Sequence, residues 1–140
     1  MTQRNVLFKS YLGLSFLGIV VAIYHAYTEL TSFFTYCNLN SHVSCGLLFQ
    51  SGYTTIAVGS VAVPFWFLGI VWFPLTSILG FLLWNSMRLL LVPILLIGDI
   101  FTIYLWYIEL GIVDVICPVC VSLYVMNYVM TGLAAWSSAR

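Results

Sequence analysis

The chain has 140 residues, of which 63% are hydrophobic and 6% are charged, with a mean hydropathy of +1.10 and no formal net charge. Soluble domains carry about 25% charged residues, so this composition excludes a soluble fold and indicates an integral membrane protein. A neutral chain without a basic cluster also excludes a nucleic-acid-binding surface. We therefore predict a single transmembrane domain over residues 1–140.

Four segments with few or no charges are long enough to cross about 30 Å of hydrocarbon as helices. The predicted spans are approximately 10–30, 60–84, 89–108 and 115–136. A long polar loop separates the first two spans, and tight turns at 84–88 and 109–114 connect the others. The sequence shows no internal repeat or heptad pattern, so the predicted fold is an all-α bundle of four transmembrane helices with a long outer loop between helices 1 and 2.

Basic and acidic residues separate completely between the two ends of this bundle. The basic residues at one end are Arg4, Lys9, Arg88 and Arg140, and the acidic residues at the other end are Glu29, Glu109 and Asp114. Because Lys and Arg in short loops remain in the cytoplasm, we predict a multi-pass cell-membrane protein with both termini cytoplasmic and its cysteines extracytoplasmic. A cleaved signal peptide within residues 1–28 is the alternative for the first span, and it would spoil this separation.

All four cysteines are predicted at the outer face, where oxidising conditions favour disulfides. They are Cys37, Cys45, Cys117 and Cys120. The residues alone allow structural disulfides, a thiolate zinc site or a redox-active centre. Structural zinc commonly uses two short pairs, whereas Cys37 and Cys45 are widely spaced, so no metal is expected. A bridge within C-x-x-C closes a very short ring and constrains the unfolded chain little, which weakens the structural interpretation.

Pro118, directly after Cys117, favours the redox interpretation. Proline prefers the first helical position, so Cys117 is predicted to cap the fourth span. A helix N-terminus stabilises a thiolate, and a thiol of low pKa is a good leaving group from a labile disulfide. The sequence has no haem, flavin or iron–sulfur signature. A lipid-soluble quinone is therefore the expected electron acceptor.

In their order along the chain, these motifs resemble the vitamin K epoxide reductase family. The matching features are the spaced pair CNLNSHVSC (37–45), Ser51, CPVC (117–120) at the start of the last span, and PFWFLGIVW (64–72). The bacterial disulfide-forming enzyme DsbB has the two pairs in the reverse order. The resemblance implies a stand-alone microbial member, functionally similar to DsbB. It also makes Ser51 a candidate cofactor-binding residue, although Ser51 could instead cap a short loop helix.

The resemblance also implies an electron route. Cys37 would accept electrons from a DsbA-like, thioredoxin-like extracytoplasmic protein, and Cys45 would pass them on by attacking Cys117. Cys120 would then face a membrane quinone (menaquinone, ubiquinone or a similar molecule), with Tyr124 hydrogen-bonding to its ring. The implied activity is that of a membrane thiol:quinone oxidoreductase that generates disulfides. The alternative is a non-catalytic membrane protein with structural disulfides in its outer loops.

Two departures from the family pattern refine this expectation. Animal members have an asparagine in the second span that helps hold the vitamin K ring, and residues 60–83 contain none. Simple quinone reduction is therefore expected rather than epoxide reduction. Some bacterial members carry a fused thioredoxin-like domain, which residues 1–140 lack, so the expected partner is a separate protein.

Several other polar residues have two interpretations. Asp99, in the third span, is either a further cofactor-binding or proton-relay candidate or a hydrogen-bonded structural carboxyl group. His25 and Glu29, one helical turn apart, would form an interfacial hydrogen bond or a proton path to the quinone. His42 is either solvated or placed to lower the pKa of Cys45.

Overall fold

Four long helices form the body of the protein. The computed structural model describes residues 2–31 and 37–139. The long helices are α1 (Gln3–Thr31), α3 (Phe65–Leu83), α4 (Arg88–Tyr107) and α5 (Pro118–Ala139). Within the described ranges, α1, α3, α5 and the combined segment Arg88–Val113 are long and apolar enough to cross a membrane. The predicted multi-pass α-helical membrane bundle is confirmed.

The helices pack as a closed bundle. Helix α1 contacts α3 and α5, and α4 contacts α5 and α3. At the end distant from the cysteines, the Tyr11 hydroxyl donates to the Thr76 carbonyl at 2.8 Å, and the Ser15 hydroxyl donates to the Phe73 carbonyl at 2.9 Å. Lipid gives helices little hydrophobic reason to associate, so close packing and hydrogen bonds of this kind hold α1 against α3.

The second span begins later than predicted. Residues assigned to its start form strand β2 (Val61–Pro64), which pairs antiparallel with β1 (Thr55–Val58). Gly59 in the connection has φ of +64°, which glycine adopts without steric cost. The prediction was wrong here because a short apolar run reads equally well as a strand or as a helix. The β-branched residues of both strands favour the strand.

The third span is longer than predicted. Helix α4 continues into a π-helical segment, Ile108–Val113, that ends at Asp114 in the left-handed conformation with φ of 56°. The predicted tight turn at 109–114 is therefore wrong. Four of the six residues of the segment are large and aliphatic, which suits a helix in contact with lipid. Leu110 and Ile112 stay on the outer surface, whereas Ile108 and Glu109 are carried into the protein interior.

The first outer loop is attached to the segment that precedes α5. The Ile116 amide donates to the His42 carbonyl at 2.8 Å, and the Ser44 amide donates to the Ile116 carbonyl at 3.1 Å. The Asn40 side chain accepts a hydrogen bond from the His42 amide at 2.9 Å and so stabilises the local turn. The exposed His42 imidazole lies 3.6 Å from the Asp114 carboxylate. These contacts bring the two cysteine-containing segments together.

Candidate functional site

The four cysteines form a continuous row of sulfur atoms at one end of the bundle. Cys37 and Cys45 form a disulfide, whereas Cys117 and Cys120 are buried thiols. The Cys45 Sγ lies 3.0 Å from the Cys117 Sγ, and the Cys120 Sγ lies 2.7 Å from the Cys117 Sγ. Cys117 therefore contacts one sulfur of the loop pair and one of its own pair, which is the arrangement that disulfide exchange requires.

Local hydrogen bonds fix the position of Cys45. It is the first residue of the short helix α2 (Cys45–Gln50), and the Ser44 side chain caps that helix by accepting from the Leu47 amide. The Asn38 side chain accepts from the Ser44 hydroxyl at 2.8 Å and from the Gly46 amide at 3.1 Å. The disulfide and this network hold Cys45 against the start of α5.

Cys117 caps helix α5, as the sequence predicts. The helix begins at Pro118, and the Cys120 amide donates to the Cys117 Sγ at 3.3 Å. Burial raises the pKa of the Cys117 thiol, but hydrogen bonds from Cys120 and His25 outweigh burial and lower that pKa to about 6. A thiol with this pKa is largely thiolate at neutral pH, so Cys117 is suited to disulfide exchange.

His25 lies on the other side of the C-x-x-C pair. Its Nε2 is 3.3 Å from the Cys120 Sγ, and its side chain is only 4% exposed. The Phe49 ring packs against the imidazole, with the ring centroids 4.9 Å apart. Within the described chain, the His25 Nδ1 has no hydrogen-bond partner. Glu29, one turn further along α1, lines the same cavity as His25.

Glu109 connects the start of α5 with its second turn. One carboxylate oxygen accepts from the Cys117 amide at 3.3 Å, and the other accepts from the Tyr124 hydroxyl at 2.5 Å. Glu109 is 1% exposed and Tyr124 is 5% exposed. The Trp106 ring packs beside Tyr124, with centroids 5.7 Å apart. The carboxyl group thus links the sulfur pair to the tyrosine hydroxyl.

A cavity of about 360 Å³ lies between the helices, with its wall at the last sulfur of the row. Cys120, Tyr124, His25, Glu109 and Asn127 supply polar or reactive groups to its lining, and most of the remaining wall is aromatic or aliphatic. Small-molecule sites in proteins are typically apolar clefts of about 300–1,000 Å³ with a few polar groups that orient the ligand. The cavity has the size and chemistry for a flat, apolar ring with hydrogen-bond acceptors.

Asp99 and Ser51, both predicted as candidate cofactor-binding residues, are not among the described residues that line the cavity. The Asp99 carboxylate accepts a hydrogen bond from the Asn127 amide at 2.5 Å, and the Asn127 oxygen accepts one from the Trp72 indole at 2.8 Å. Ser51 ends helix α2, and its hydroxyl donates to the Leu48 carbonyl at 2.5 Å. The intramembrane carboxyl group therefore orients Asn127, which itself lines the cavity.

The sequence analysis did not predict three features of the site. They are the hydrogen bonds of Glu109 to Cys117 and Tyr124, the approach of His25 to Cys120, and the position of Asn127 in the cavity wall. Asn127 follows Tyr124 by three residues, so helical spacing alone places both on one face of α5. Glu109 lies between aliphatic residues in the sequence. A single charged residue in such a run can indicate a buried carboxyl group. The contact of His25 depends on how α1 packs against α5, and nothing local signals it.

Soft-metal coordination is also compatible with the positions of these atoms. The ligand atoms of His25, Cys117 and Cys120 all lie within 4.8 Å of one another. Structural zinc sites are almost always closed by four protein ligands, and the disulfide removes the Cys37 and Cys45 thiolates from any such set. The arrangement accordingly matches disulfide exchange better than structural metal binding.

Comparison with known proteins assigns the chain to a family. The sequence model of the vitamin K epoxide reductase family matches residues 9–135, which include all four cysteines and Tyr124. A search among curated proteins returned no match. Members of this family are membrane thiol–disulfide oxidoreductases, and in general they work with membrane quinones and thioredoxin-like partners.

Proposed function

Because the chain belongs to the vitamin K epoxide reductase family, we propose that it is a thiol:quinone oxidoreductase that makes disulfides in an extracytoplasmic thioredoxin-like protein. Two electrons from each new disulfide pass to a membrane quinone. The observation that carries this proposal is the row of four sulfurs, 3.0 and 2.7 Å apart at its two thiol contacts, which ends at an apolar cavity.

The proposed route consists of four thiol–disulfide exchange steps, two with the partner and two between the cysteine pairs, followed by one oxidation. A partner thiolate attacks Cys37, the Cys45 thiolate leaves, and the second partner thiol resolves the mixed disulfide. Cys45 then attacks Cys117 in the oxidised C-x-x-C pair and releases Cys120 as a thiolate. Cys37 displaces Cys117 from Cys45, which restores the loop disulfide and leaves Cys117 and Cys120 reduced. Each exchange breaks one S–S bond and forms one. Cys117 and Cys120 would then return to the disulfide by giving two electrons to a quinone held beside Cys120.

The cavity residues fit a quinone ring. Tyr124 and Asn127 provide a hydroxyl and an amide in a mostly apolar wall, and they would hold the ring through its oxygens. Trp72 and Asp99 orient the Asn127 amide through hydrogen bonds of 2.8 and 2.5 Å. When bound, quinone supplies a two-electron acceptor next to Cys120, while the chain orients the ring and excludes water from it.

The contact between the two cysteine pairs supports catalysis over a purely structural role. Disulfides that only brace loops need no contact with each other, whereas the Cys45 Sγ lies 3.0 Å from the Cys117 Sγ and the row ends at a cavity. A short C-x-x-C ring also restricts the unfolded chain little. The non-catalytic alternative therefore explains less of the site.

We also propose that the cysteine end faces the extracytoplasmic side and that both termini are cytoplasmic. Arg4 and Arg88 line one crevice, and the Ser137 side chain near the end of α5 lines it as well. This crevice lies at the opposite end of the helices from the sulfurs, in agreement with the tendency of basic residues to stay in the cytoplasm. Arg140, part of the same charge pattern, lies outside the described residues.

The thiol half of the proposal is tested by trapping the mixed disulfide. In a Cys45→Ala variant, Cys37 has lost its resolving neighbour, so a disulfide with the partner should accumulate. Non-reducing electrophoresis followed by mass spectrometry should show a thioredoxin-like protein joined to Cys37 through a bond that dithiothreitol breaks. The double variant Cys37→Ala/Cys45→Ala is the control and should trap nothing. A folded Cys45→Ala protein that forms no such adduct would contradict the proposed exchange.

A further inference from the structure

Glu109 is a buried carboxyl group that the proposed electron route leaves unused. Burial of an unpaired carboxylate is very unfavourable, so such groups are kept where hydrogen bonds satisfy them. Glu109 has two such partners, the Cys117 amide and the Tyr124 hydroxyl, and it also lines the cavity. The carboxyl group therefore sits between the sulfur pair and the residue proposed to contact the quinone.

Quinone reduction needs protons as well as electrons. Oxidation of two thiols breaks two S–H bonds, forms one S–S bond and releases two electrons and two protons. Reduction of the quinone consumes both electrons and forms two O–H bonds. Because the cavity wall is largely apolar, the protons need protonatable side chains to reach the ring.

We propose that Glu109 carries one of these protons from the Cys117–Cys120 pair to the quinone oxygen contacted by Tyr124. This inference rests on the proposed function. Glu109 takes the proton released at the sulfur pair, Tyr124 gives its own hydroxyl proton to the quinone oxygen, and Glu109 replaces the proton on Tyr124. The other proton passes from Cys120 to the His25 Nε2, 3.3 Å away, and from His25 to the second quinone oxygen across the shared cavity.

Charge balance supports this role for the carboxyl group. Two adjacent negative charges in a buried site are unfavourable, so a Cys117 thiolate and a Glu109 carboxylate are not ionised together at low cost. A Cys117 thiolate therefore goes together with a protonated Glu109, so the proton of Cys117 is already on the carboxyl group when oxidation begins and the total charge stays constant. Because Glu109 bonds to the Cys117 amide and to the Tyr124 hydroxyl, the charge state of the sulfur pair decides whether a proton is available near the ring.

The test is single-turnover oxidation of the fully reduced, purified protein by a short-chain quinone, followed by quinone absorbance and by formation of the Cys117–Cys120 disulfide. Wild-type protein gives the reference rate of oxidation, and Cys120→Ser, which cannot form the disulfide, is the inactive control.

In Glu109→Gln, which keeps the side-chain shape and an oxygen acceptor, we expect the oxidation rate to fall about 100-fold or more, the usual size of an acid–base contribution. Quinone affinity and the trapping of partner at Cys37 should be unchanged. Glu109→Asp should recover part of the rate.

Asp114→Asn is the matched control. It removes another carboxylate next to the same π-helical segment, but Asp114 is 82% exposed and contacts His42 rather than the sulfurs. Its rate should equal that of wild type. A solvent-deuterium slowing that is present in wild type and altered in Glu109→Gln would identify proton transfer, which a merely structural role of Glu109 would not affect.

A second variant keeps the test decisive if Glu109→Gln does not fold. Tyr124→Phe retains the aromatic packing on Trp106 but breaks the same proton path, so it should show a similar loss. A folded variant of either kind that is oxidised at the wild-type rate overturns the relay, and so does a Glu109→Gln loss that arises entirely from weaker quinone binding. Wild-type protein that reduces no quinone would instead overturn the proposed function itself.

Discussion

Cys117 occupies the middle of the sulfur row and is the residue through which the two pairs communicate. Its sulfur contacts Cys45 and Cys120 at once but can bond to only one of them. Its position at the helix start and its low pKa make it a good leaving group when Cys37 attacks the disulfide between Cys45 and Cys117. The chemistry of the row thus depends on the charge state of one side chain.

The charge state of Cys117 gives a pH prediction. Its pKa is lowered from 9.0 to about 6, so the thiol predominates below that pH and the thiolate above it. Ultraviolet thiolate absorbance of the protein with a reduced C-x-x-C pair, minus that of Cys117→Ser, should rise as the pH increases through about 6. His25→Ala removes one of the stabilising hydrogen bonds and should move the transition upward. A transition near 9.0 in the wild type would contradict this account.

The sequence predicted the residues whose chemistry depends on local spacing. The cap formed by Cys117 follows from Pro118, and helical spacing places Tyr124 one turn after Cys120. The contacts between helices did not follow from spacing. His25 with Cys120, and Asp99 with Asn127, depend on the rotation of each helix about its axis, which apolar residues on every face of the spans leave unspecified.

Among the elements, the outer loop has the clearest positioning task. It is held to the segment before α5 by two backbone hydrogen bonds. Within the loop, the Asn38 side chain next to Cys37 accepts hydrogen bonds from Ser44 and Gly46, the two neighbours of Cys45. Each such bond contributes about 1 kcal/mol. The network keeps the Cys45 sulfur in contact with Cys117, so loosening the loop should affect exchange between the pairs first.

Asn38→Ala tests that positioning role. Loss of both hydrogen bonds should slow transfer of oxidation from Cys117–Cys120 to Cys37–Cys45 about tenfold, because exchange depends on alignment of the reacting sulfurs. Rapid alkylation and mass spectrometry would measure the transfer. Asn38→Asp keeps an oxygen acceptor and should retain most of the rate. Equal rates in Asn38→Ala and wild type would show that the loop is positioned by other contacts.

Element boundaries were the least predictable part of the fold. Hydropathy identified the four membrane segments, but it did not distinguish strand β2 from the start of α3. It also placed a turn at Glu109, because a charged residue usually marks the end of a span. Hydrogen bonds from the Cys117 amide and the Tyr124 hydroxyl compensate for the cost of burying Glu109. These partners come from another part of the chain, so no local sequence pattern indicates them.

At the scale of the whole molecule, the sulfurs lie at one end of the bundle, and the basic residues within the described ranges, Arg4, Lys9 and Arg88, lie at the other. This separation agrees with a fixed direction of insertion. Under the proposed function, the outer loop would meet the partner protein and the helices would enclose the quinone, so one chain would carry electrons from an aqueous protein to a lipid-soluble carrier. The orientation of the bundle in the membrane can be tested by chemical labelling.

Cysteine labelling tests the orientation. In a background without the native cysteines, Asn40→Cys in the outer loop and Ser86→Cys in the α3–α4 connection introduce reactive thiols at exposed positions. In intact cells, a membrane-impermeant maleimide should label Asn40→Cys and leave Ser86→Cys unmodified until the membrane is permeabilised. The reverse pattern, or labelling of both sites in intact cells, would contradict the proposed topology.

The sequence separation of the bonded cysteines also affects how stable each disulfide-bonded form is against unfolding. A bridge between Cys37 and Cys45 joins residues 8 apart, whereas a bridge between Cys45 and Cys117 joins residues 72 apart. The loss of unfolded-chain entropy caused by a crosslink grows with the size of the ring it closes. The form with the Cys45–Cys117 bridge should therefore have a free energy of unfolding about 2 kcal/mol higher than the form with the Cys37–Cys45 bridge. Each turnover would pass through a brief state that resists heat better than the resting protein, so the melting temperature of a sample would indicate which disulfide it contains.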